Sequence, residues 1–140
     1  MSMHFGRTVF VDRLFVPTAT RCGTAQPKCI AVLQELCRKN VPVVCKDEVK
    51  KLVHPIKVEQ QKKLIVFQKR LGSARVVTNH DEIKSALQKE FEDCCTIVEF
   101  FGDETIEHTV ALHHYADIVI GPHGSGLVNT VWSQSTAGVL

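Results

Sequence analysis

The chain has 140 residues, of which 44% are hydrophobic and 23% charged, a composition typical of one globular unit of ordinary size. Its 17 lysines and arginines against 15 aspartates and glutamates give a net charge of +2, so no nucleic-acid surface or polybasic membrane patch is expected. The longest apolar runs are too short for a membrane-spanning helix, and the first ten residues lack the apolar core of a secretory signal. We therefore expect no nucleic-acid partner, no membrane segment and no targeting segment in this chain.

The first half of the chain predicts a strand, a helix and a polar segment. Residues 8–16 have the apolar content of a strand, and residues 17–23 interrupt it with turn-forming residues. Pro27 opens a predicted helix over residues 27–39, with Ile30, Leu33 and Cys37 on its inner face. Residues 47–63, rich in lysine and glutamine, predict an exposed connection or a second polar helix. This segment is the best candidate for a domain boundary.

The second half of the chain predicts alternating strands and helices. Residues 64–67 form a continuous apolar run, as a strand buried on both faces requires. Further strands are predicted over residues 96–101 and 117–120, with a helix over residues 105–116 between them. This alternation predicts an α/β fold, Rossmann-like, with a parallel sheet and crossover helices.

Another predicted helix follows Asn79. Asn79 and Glu82 form an N-x-x-E pattern ahead of an apolar stripe that includes Ile83, Leu87 and Phe91. Capping of the helix explains both polar residues, and contact with a ligand is the alternative.

A glycine-rich loop follows the last full strand. Glycines at 121, 124 and 126 let the backbone approach a bound group, and a helix that begins near Ser125 directs free N–H groups toward that group. A phosphate or diphosphate is the predicted ligand. The alternative is that the glycines only allow close packing of the turn.

Two loops are expected to meet at one edge of the predicted sheet. Ligands bind beyond the carboxyl ends of parallel strands, so the loops at 68–75 and 121–126 share an edge. Arg70, Arg75 and His123 then converge, with a solvated position as the alternative for each. Arginine forks, a histidine and helix N–H groups can offset the charge of a diphosphate leaving group without a metal.

The cysteine and histidine patterns do not predict a metal site. None of the six cysteines forms a C-x-x-C pair, so a zinc site is not expected. Four cysteines fall within the first 45 residues, which is compatible with disulfides in an oxidising compartment and with buried thiols in a reducing one. His108, His113 and His114 are interpreted as packing residues, as are Tyr115 and Trp132.

The two blocks SARVVTNHDEIKSAL and ADIVIGPHGSGLVN, with Arg70 just before the first, resemble the catalytic region of glycosyltransferase family 61. That family pairs an arginine/asparagine/glutamate block with a G-x-H-G-A-G-L-T-N loop. Here Ser125 replaces the usual alanine and Val128 the frequent threonine, so a role for that threonine does not carry over. The N-terminal run RTVFVDRLFVPTATRCG also resembles the family, and the likeness extends from about Arg7 to the end.

The resemblance implies the C-terminal donor-binding lobe of a GT-B glycosyltransferase, incomplete at its C-terminus. Residues 1–57 would be the segment leading into the catalytic region, and residues 58–140 the nucleotide-sugar-binding lobe. Asn79 and Glu82 would be helix caps or secondary donor contacts. The residues expected to bind the donor diphosphate are Arg70, Arg75, Gly121, His123, Gly124, Ser125, Gly126 and Asn129.

The implied reaction is transfer of a sugar, such as N-acetylglucosamine or xylose, from a UDP-sugar to a hydroxyl of a protein or polysaccharide, with inversion. No catalytic base is assigned, although Glu99, Asp103, Glu104 and Glu107 are candidates. The implied location is the lumen of the Golgi or endoplasmic reticulum. Two alternatives stay open: a catalytically incomplete pseudoenzyme or interaction module, and an unrelated phosphate-binding α/β enzyme.

Overall fold

The computed structural model describes residues 27–72 and 76–140. The strand predicted over residues 8–16 and the predicted site residue Arg75 lie outside these ranges. Everything that follows refers to the described part of the chain.

The centre of the fold is a parallel sheet. Among the described residues it has four strands in the order β2-β1-β3-β4, and every neighbouring pair is parallel. Val66 of the central strand lies opposite Val98 on one side and Val119 on the other. The sheet confirms the predicted α/β class with crossover connections. The strands are β1 (Lys63–Gln68), β2 (Cys95–Phe100), β3 (Ile118–Ile120) and β4 (Gly138–Val139).

Helices connect and flank these strands. None of the helices in the described part of the chain has the length and apolar character needed to cross a membrane. The last helix is of the tighter 3₁₀ type and begins at Ser125, where the sequence predicted a helix start. The helices are α1 (Pro27–Val44), α2 (Lys46–Glu48), two π-helical turns (Val49–Val53 and Pro55–Glu59), α3 (His80–Phe91), α4 (Ile106–Tyr115) and the 3₁₀ helix (Ser125–Trp132).

Strand β1 is buried on both faces, as its continuous apolar sequence predicted. Leu64 and Val66 belong to a core cluster with Leu112 of α4. On the opposite face the ring of Phe67 stacks on His80 of α3, with centroids 4.1 Å apart. Because successive side chains of a strand alternate between faces, β1 holds both helical layers against the sheet.

A second core cluster joins α1 to α4. Cys37, Val41 and Cys45 recur at every fourth position and pack with Ala111. The inner face predicted for α1 is therefore only partly correct, because Cys37 is buried while Leu33 is 38% exposed. The helix also extends past the predicted end at residue 39 to Val44.

The cysteines of the described residues are free thiols. Cys37 and Cys45 are buried, and burial raises the pKa of both thiols. Both side chains belong to the core between α1 and α4.

The lysine-rich segment is helical and partly buried, so of the two predicted alternatives the second polar helix is confirmed and the exposed connection is wrong. Val53 of the first π-helical turn and Ile56 of the second are buried. Pro55 has no N–H, and the amide N of Gln60 donates to the Pro55 carbonyl over five residues at 3.0 Å. Ile56 joins the sheet cluster and Val49 packs against the cluster of α1 and α4, so apolar side chains among the lysines hold this segment on both cores.

Asp117 ties β1 to β3 at the amino edge of the sheet. Its Oδ2 accepts from the backbone N of Leu64 at 2.7 Å and pairs with the Lys57 ammonium, while Lys63 Nζ lies 3.5 Å from Oδ1. Burial alone would raise the pKa of Asp117, but the Lys57 and Leu64 hydrogen bonds outweigh burial and lower it. The carboxylate therefore links a lysine of the helical segment to two strands.

Candidate functional site

The strand order places a topological switch point between β1 and β3. From β1 the chain continues through α3 to β2 on one side, and from β3 it continues through the 3₁₀ helix to β4 on the other side. In open parallel sheets, ligands bind in the crevice outside the carboxyl ends of the strands at such a point. The loops that follow β1 and β3 are those in which the sequence placed the anion site.

Gln68, the last residue of β1, lies directly beneath the glycine loop. Its Nε2 donates to the backbone O of Gly126 at 3.0 Å. A Cβ added to Gly121 or to Gly126 would come within 2.7 Å or 2.8 Å of Gln68 Oε1, closer than real Cβ atoms approach. Both glycines thus make room for Gln68, an intramolecular reason for their presence that the sequence pattern did not reveal.

His113 holds the Gln68 carboxamide in place. Its Nδ1 lies 2.9 Å from the Thr109 carbonyl, so Nδ1–H donates there and Nε2 is left as an acceptor. Gln68 Nε2 lies 3.4 Å from that acceptor. Burial lowers the pKa of His113, which keeps the ring neutral. The interpretation of His113 as a packing residue is confirmed, and its packing supports the loop.

Arg70 lies against the backbone of the same loop. A Cβ added to Gly124 would collide with Nη2 of Arg70 and lie 3.0 Å from its Cζ. Gly124 has a φ of 153°, in a region that favours glycine, and it directly precedes the 3₁₀ helix. Arg70 is half-buried. Its guanidinium therefore lies next to the start of the 3₁₀ helix, at the switch point.

The remaining predicted donor residues are distributed along the loop and helix. His123 is exposed, and Ser125 is the first residue of the 3₁₀ helix. Asn129 is half-buried one turn further along that helix. The structure thus brings Arg70, Gly124 and Gly126 together around the loop.

Asn79 and Glu82 are exposed and lie at the start of α3. Asn79 occupies the N-cap position, as predicted, but its side chain makes no capping hydrogen bond. The capping bond expected from the N-x-x-E pattern is therefore absent. The backbone of Asn79, with φ −106° and ψ 30°, is not in the extended conformation of most N-cap residues.

Glu99, a candidate base in the sequence, is surrounded by two lysines and a histidine. Its carboxylate pairs with Lys84, lies 3.1 Å from His80 Nε2 and lies 3.9 Å from Lys69 Nζ. The hydrogen bond from Lys84 lowers the pKa of Glu99 most, and that from His80 adds to it. A carboxylate stabilised as an anion in this way is a poor proton acceptor.

His80, Asp81 and Glu99 place ligand-type atoms within 4.8 Å of one another. The same carboxylates are paired with lysines, since Lys69 Nζ lies 2.7 Å from Asp81 and Lys84 contacts Glu99. These ion pairs already balance the negative charge. We therefore interpret the group as an ion-pair cluster between α3 and the sheet, which no spacing in the sequence indicated.

Glu104 and Thr105 have structural roles at the start of α4. The two Glu104 carboxylate oxygens accept from the backbone N of Phe101 and of Gly102, each at 2.8 Å. The hydroxyl of Thr105 accepts from the backbone N of His108 at 3.2 Å and caps the helix. Glu104 is thus engaged by the loop after β2.

His108 and His114 also have protein partners. His114 is buried and its Nδ1 lies 3.0 Å from the Trp132 carbonyl. His108 Nδ1 lies 3.2 Å from Glu48 of α2. Both contacts join helices to one another, which agrees with the packing interpretation.

The parallel sheet, its switch point and the glycine loop define a Rossmann-like α/β lobe. The family model described as Glycosyltransferase 61 matches residues 2–140. The chain therefore belongs to glycosyltransferase family 61. A comparison with curated proteins found no match.

Proposed function

We propose that this lobe binds the diphosphate of a nucleotide-sugar at the switch point between β1 and β3. The observation that carries the proposal is the Arg70 guanidinium against Gly124, at the start of the 3₁₀ helix. A helix start offers N–H donors without partners inside the helix, and an arginine fork matches phosphate oxygens. Two features suited to an anion thus meet where α/β sheets bind ligands.

The proposed reaction is transfer of a sugar from a UDP-sugar, with N-acetylglucosamine and xylose as the candidate sugars. A hydroxyl of a protein or polysaccharide attacks the anomeric carbon with inversion, and UDP leaves. Arg70, Arg75 and His123 would offset the charge that grows on the diphosphate, together with the N–H groups of residues 124–126. No metal is needed for this charge compensation, and no catalytic base is assigned to a residue of this chain.

Family membership extends the proposal to the whole protein. We propose that residues 58–140 form the donor lobe of a GT-B enzyme and that residues 1–57 lead into it. Between these two segments, α1 packs against α4 and the Lys57 ammonium pairs with Asp117. We also propose that the protein works in the lumen of the secretory pathway.

The test is calorimetric titration of the folded chain with UDP, UDP-N-acetylglucosamine, UDP-xylose, GDP and FMN. We expect saturable binding of UDP or a UDP-sugar, weakened by His123→Ala. His54→Ala is the matched control, since His54 is also an exposed histidine and lies on the helical segment at residues 46–59. Preference for FMN, or equal affinity in the His123→Ala and wild-type proteins, would contradict the proposal. Binding of UDP without sugar transfer would support the pseudoenzyme alternative.

A further inference from the structure

A cavity of about 320 Å³ opens at the carboxyl end of β2. It lies between α4 and the 3₁₀ helix, and Gly102 forms part of its rim. A Cβ built on Gly102 meets no atom within 4 Å, so the rim is open on that side. We call it the β2-end cavity. It is lined by Phe100, Ile106, Thr109, Val110, Asn129 and Trp132.

The β2-end cavity lies within reach of the proposed diphosphate site. Neighbouring strands are about 4.8 Å apart, so the ends of β2 and β3, with β1 between them, are separated by about 10 Å. The 3₁₀ helix runs from Ser125, beside the glycine loop, to Asn129 at the cavity, a rise of about 8 Å at 2.0 Å per residue. A ribose joined to a diphosphate spans a separation of this size.

The lining of the β2-end cavity combines apolar walls with polar groups that make no hydrogen bond to any part of the chain that the structure describes. Phe100 and Trp132 supply aromatic surface, and Ile106 and Val110 supply aliphatic surface. Within residues 27–72 and 76–140, no hydrogen bond engages the Asn129 carboxamide, the Thr109 hydroxyl or the Trp132 indole N–H. Binding pockets for small molecules share this composition of apolar walls and a few polar groups.

We propose that the β2-end cavity binds the heterocyclic base of the nucleotide donor. The proposal rests on the proposed function, because it assumes a diphosphate at the switch point. A base has apolar faces that fit between aromatic and aliphatic side chains, and its edge carries both donors and acceptors. The family resemblance assigned Asn129 to the diphosphate, but Asn129 lines the β2-end cavity, and we reassign it to the base. Its carboxamide offers both donors and an acceptor, so it can pair with an edge of the imide or amide kind. A sugar ring, with hydroxyls on its whole circumference, would leave most of its polar groups unpaired against these walls.

The inference also gives Trp132 a second role. It is half-buried, it packs against the cluster of α1 and α4, and it lines the cavity as well. Its sequence-based interpretation as a packing residue is confirmed. Since it is the single tryptophan of the chain, its fluorescence reports directly on occupation of the cavity.

The test compares UDP, uridine and inorganic diphosphate as ligands of wild-type protein and of Asn129→Ala. We expect Asn129→Ala to weaken UDP binding about fivefold or more, the size of a lost hydrogen bond, and to leave diphosphate binding unchanged. UDP should also change Trp132 fluorescence, whereas diphosphate should not. Gln134→Ala is the matched control, because Gln134 lines a cleft at the amino edge of the sheet with Asp117.

The outcomes separate this inference from the proposed function. Binding of UDP with equal affinity to Asn129→Ala and wild type would overturn the base site and leave the diphosphate site intact. Equal weakening of UDP and diphosphate would place Asn129 at the phosphates and also overturn the base site. Failure of both UDP and diphosphate to bind to folded protein would overturn the two proposals together.

Discussion

At the scale of single residues, the glycine loop is held in place by side chains that lie beneath it. Gln68 fills the space left by Gly121 and Gly126, and Arg70 lies against Gly124. The neutral ring of His113 fixes the Gln68 amide from below. The loop therefore depends on a buried polar network, which rigidifies a site only when each member is paired.

Replacement of Gly124 by alanine tests the contact with Arg70. Both Gly124 and Gly102 have positive φ, so alanine at either position costs stability, by about 1–3 kcal/mol. A Cβ at Gly124 also collides with Arg70, whereas one at Gly102 meets no neighbour within 4 Å. We expect Gly124→Ala to weaken binding of inorganic diphosphate severalfold more than Gly102→Ala, as measured by calorimetry, because Gly102 lies at the rim of the β2-end cavity and not at the glycine loop. Equal diphosphate affinity in the two variants would argue against a role for Arg70 at the loop.

The neutral state of His113 predicts a pH dependence of stability. Burial lowers its pKa below the ordinary value of 6.5, so the unfolded chain takes up the proton first as the pH falls. Stability from this residue is present above pH 6.5 and is lost as the pH falls below it, by at most about 1.4 kcal/mol per pH unit.

Urea unfolding between pH 5 and pH 7.5 measures this effect. His113→Gln should be less stable than wild type at pH 7.5 and should show a smaller loss of unfolding free energy on acidification. His54→Gln serves as control because His54 is exposed. An unchanged pH slope in His113→Gln would show that His113 does not titrate as described.

At the scale of elements, the N-caps of α3 and α4 can be compared directly. Thr105 caps α4 through the backbone N of His108, whereas Asn79 at the start of α3 makes no capping hydrogen bond. We expect Thr105→Ala to lower the unfolding free energy by about 1 kcal/mol and Asn79→Ala to lower it less. Thermal melts of the two variants check this order, and a larger loss in Asn79→Ala would contradict it.

Asp117 is the tie between β1, β3 and the helical segment. Loss of its charge removes the pairing with Lys57 and weakens the bond from the Leu64 amide, so Asp117→Asn should cost about 2 kcal/mol at pH 7. Because the folded pKa lies below 3.8, this contribution is present above pH 3.8 and is lost as the pH falls further. Urea unfolding of wild type and Asp117→Asn at pH 7 and at pH 3 measures the difference in unfolding free energy at each pH.

The exposed Asp47 provides the control for this comparison. Asp47→Asn should leave stability unchanged within about 0.5 kcal/mol. If Asp117→Asn were as stable as Asp47→Asn at pH 7, the contacts of Asp117 with Lys57 and Leu64 would contribute no net stability.

At the scale of the whole molecule, local patterns predicted the elements but not all of their contacts. The apolar run in β1 and the alternation of strands and helices identified the α/β class and the loops of the candidate site. The partners of Gln68 and Glu99 were not predictable, because they are 45 residues distant in one case and 19 in the other. Such contacts depend on strand order, and β3 and β4 are too short for their sequence to specify a neighbour.

The central claim is that the switch point binds a diphosphate through Arg70. Titration of UDP into Arg70→Ala, beside wild type and Arg38→Ala, tests it most directly. Arg38 is the matched control, since it is an exposed arginine of α1 that pairs with Glu35 at 2.8 Å. We expect Arg70→Ala to bind UDP about tenfold or more weakly, the loss of a charge-assisted contact, and Arg38→Ala to bind like wild type. Equal UDP affinity in all three proteins, each shown to be folded, would contradict the claim.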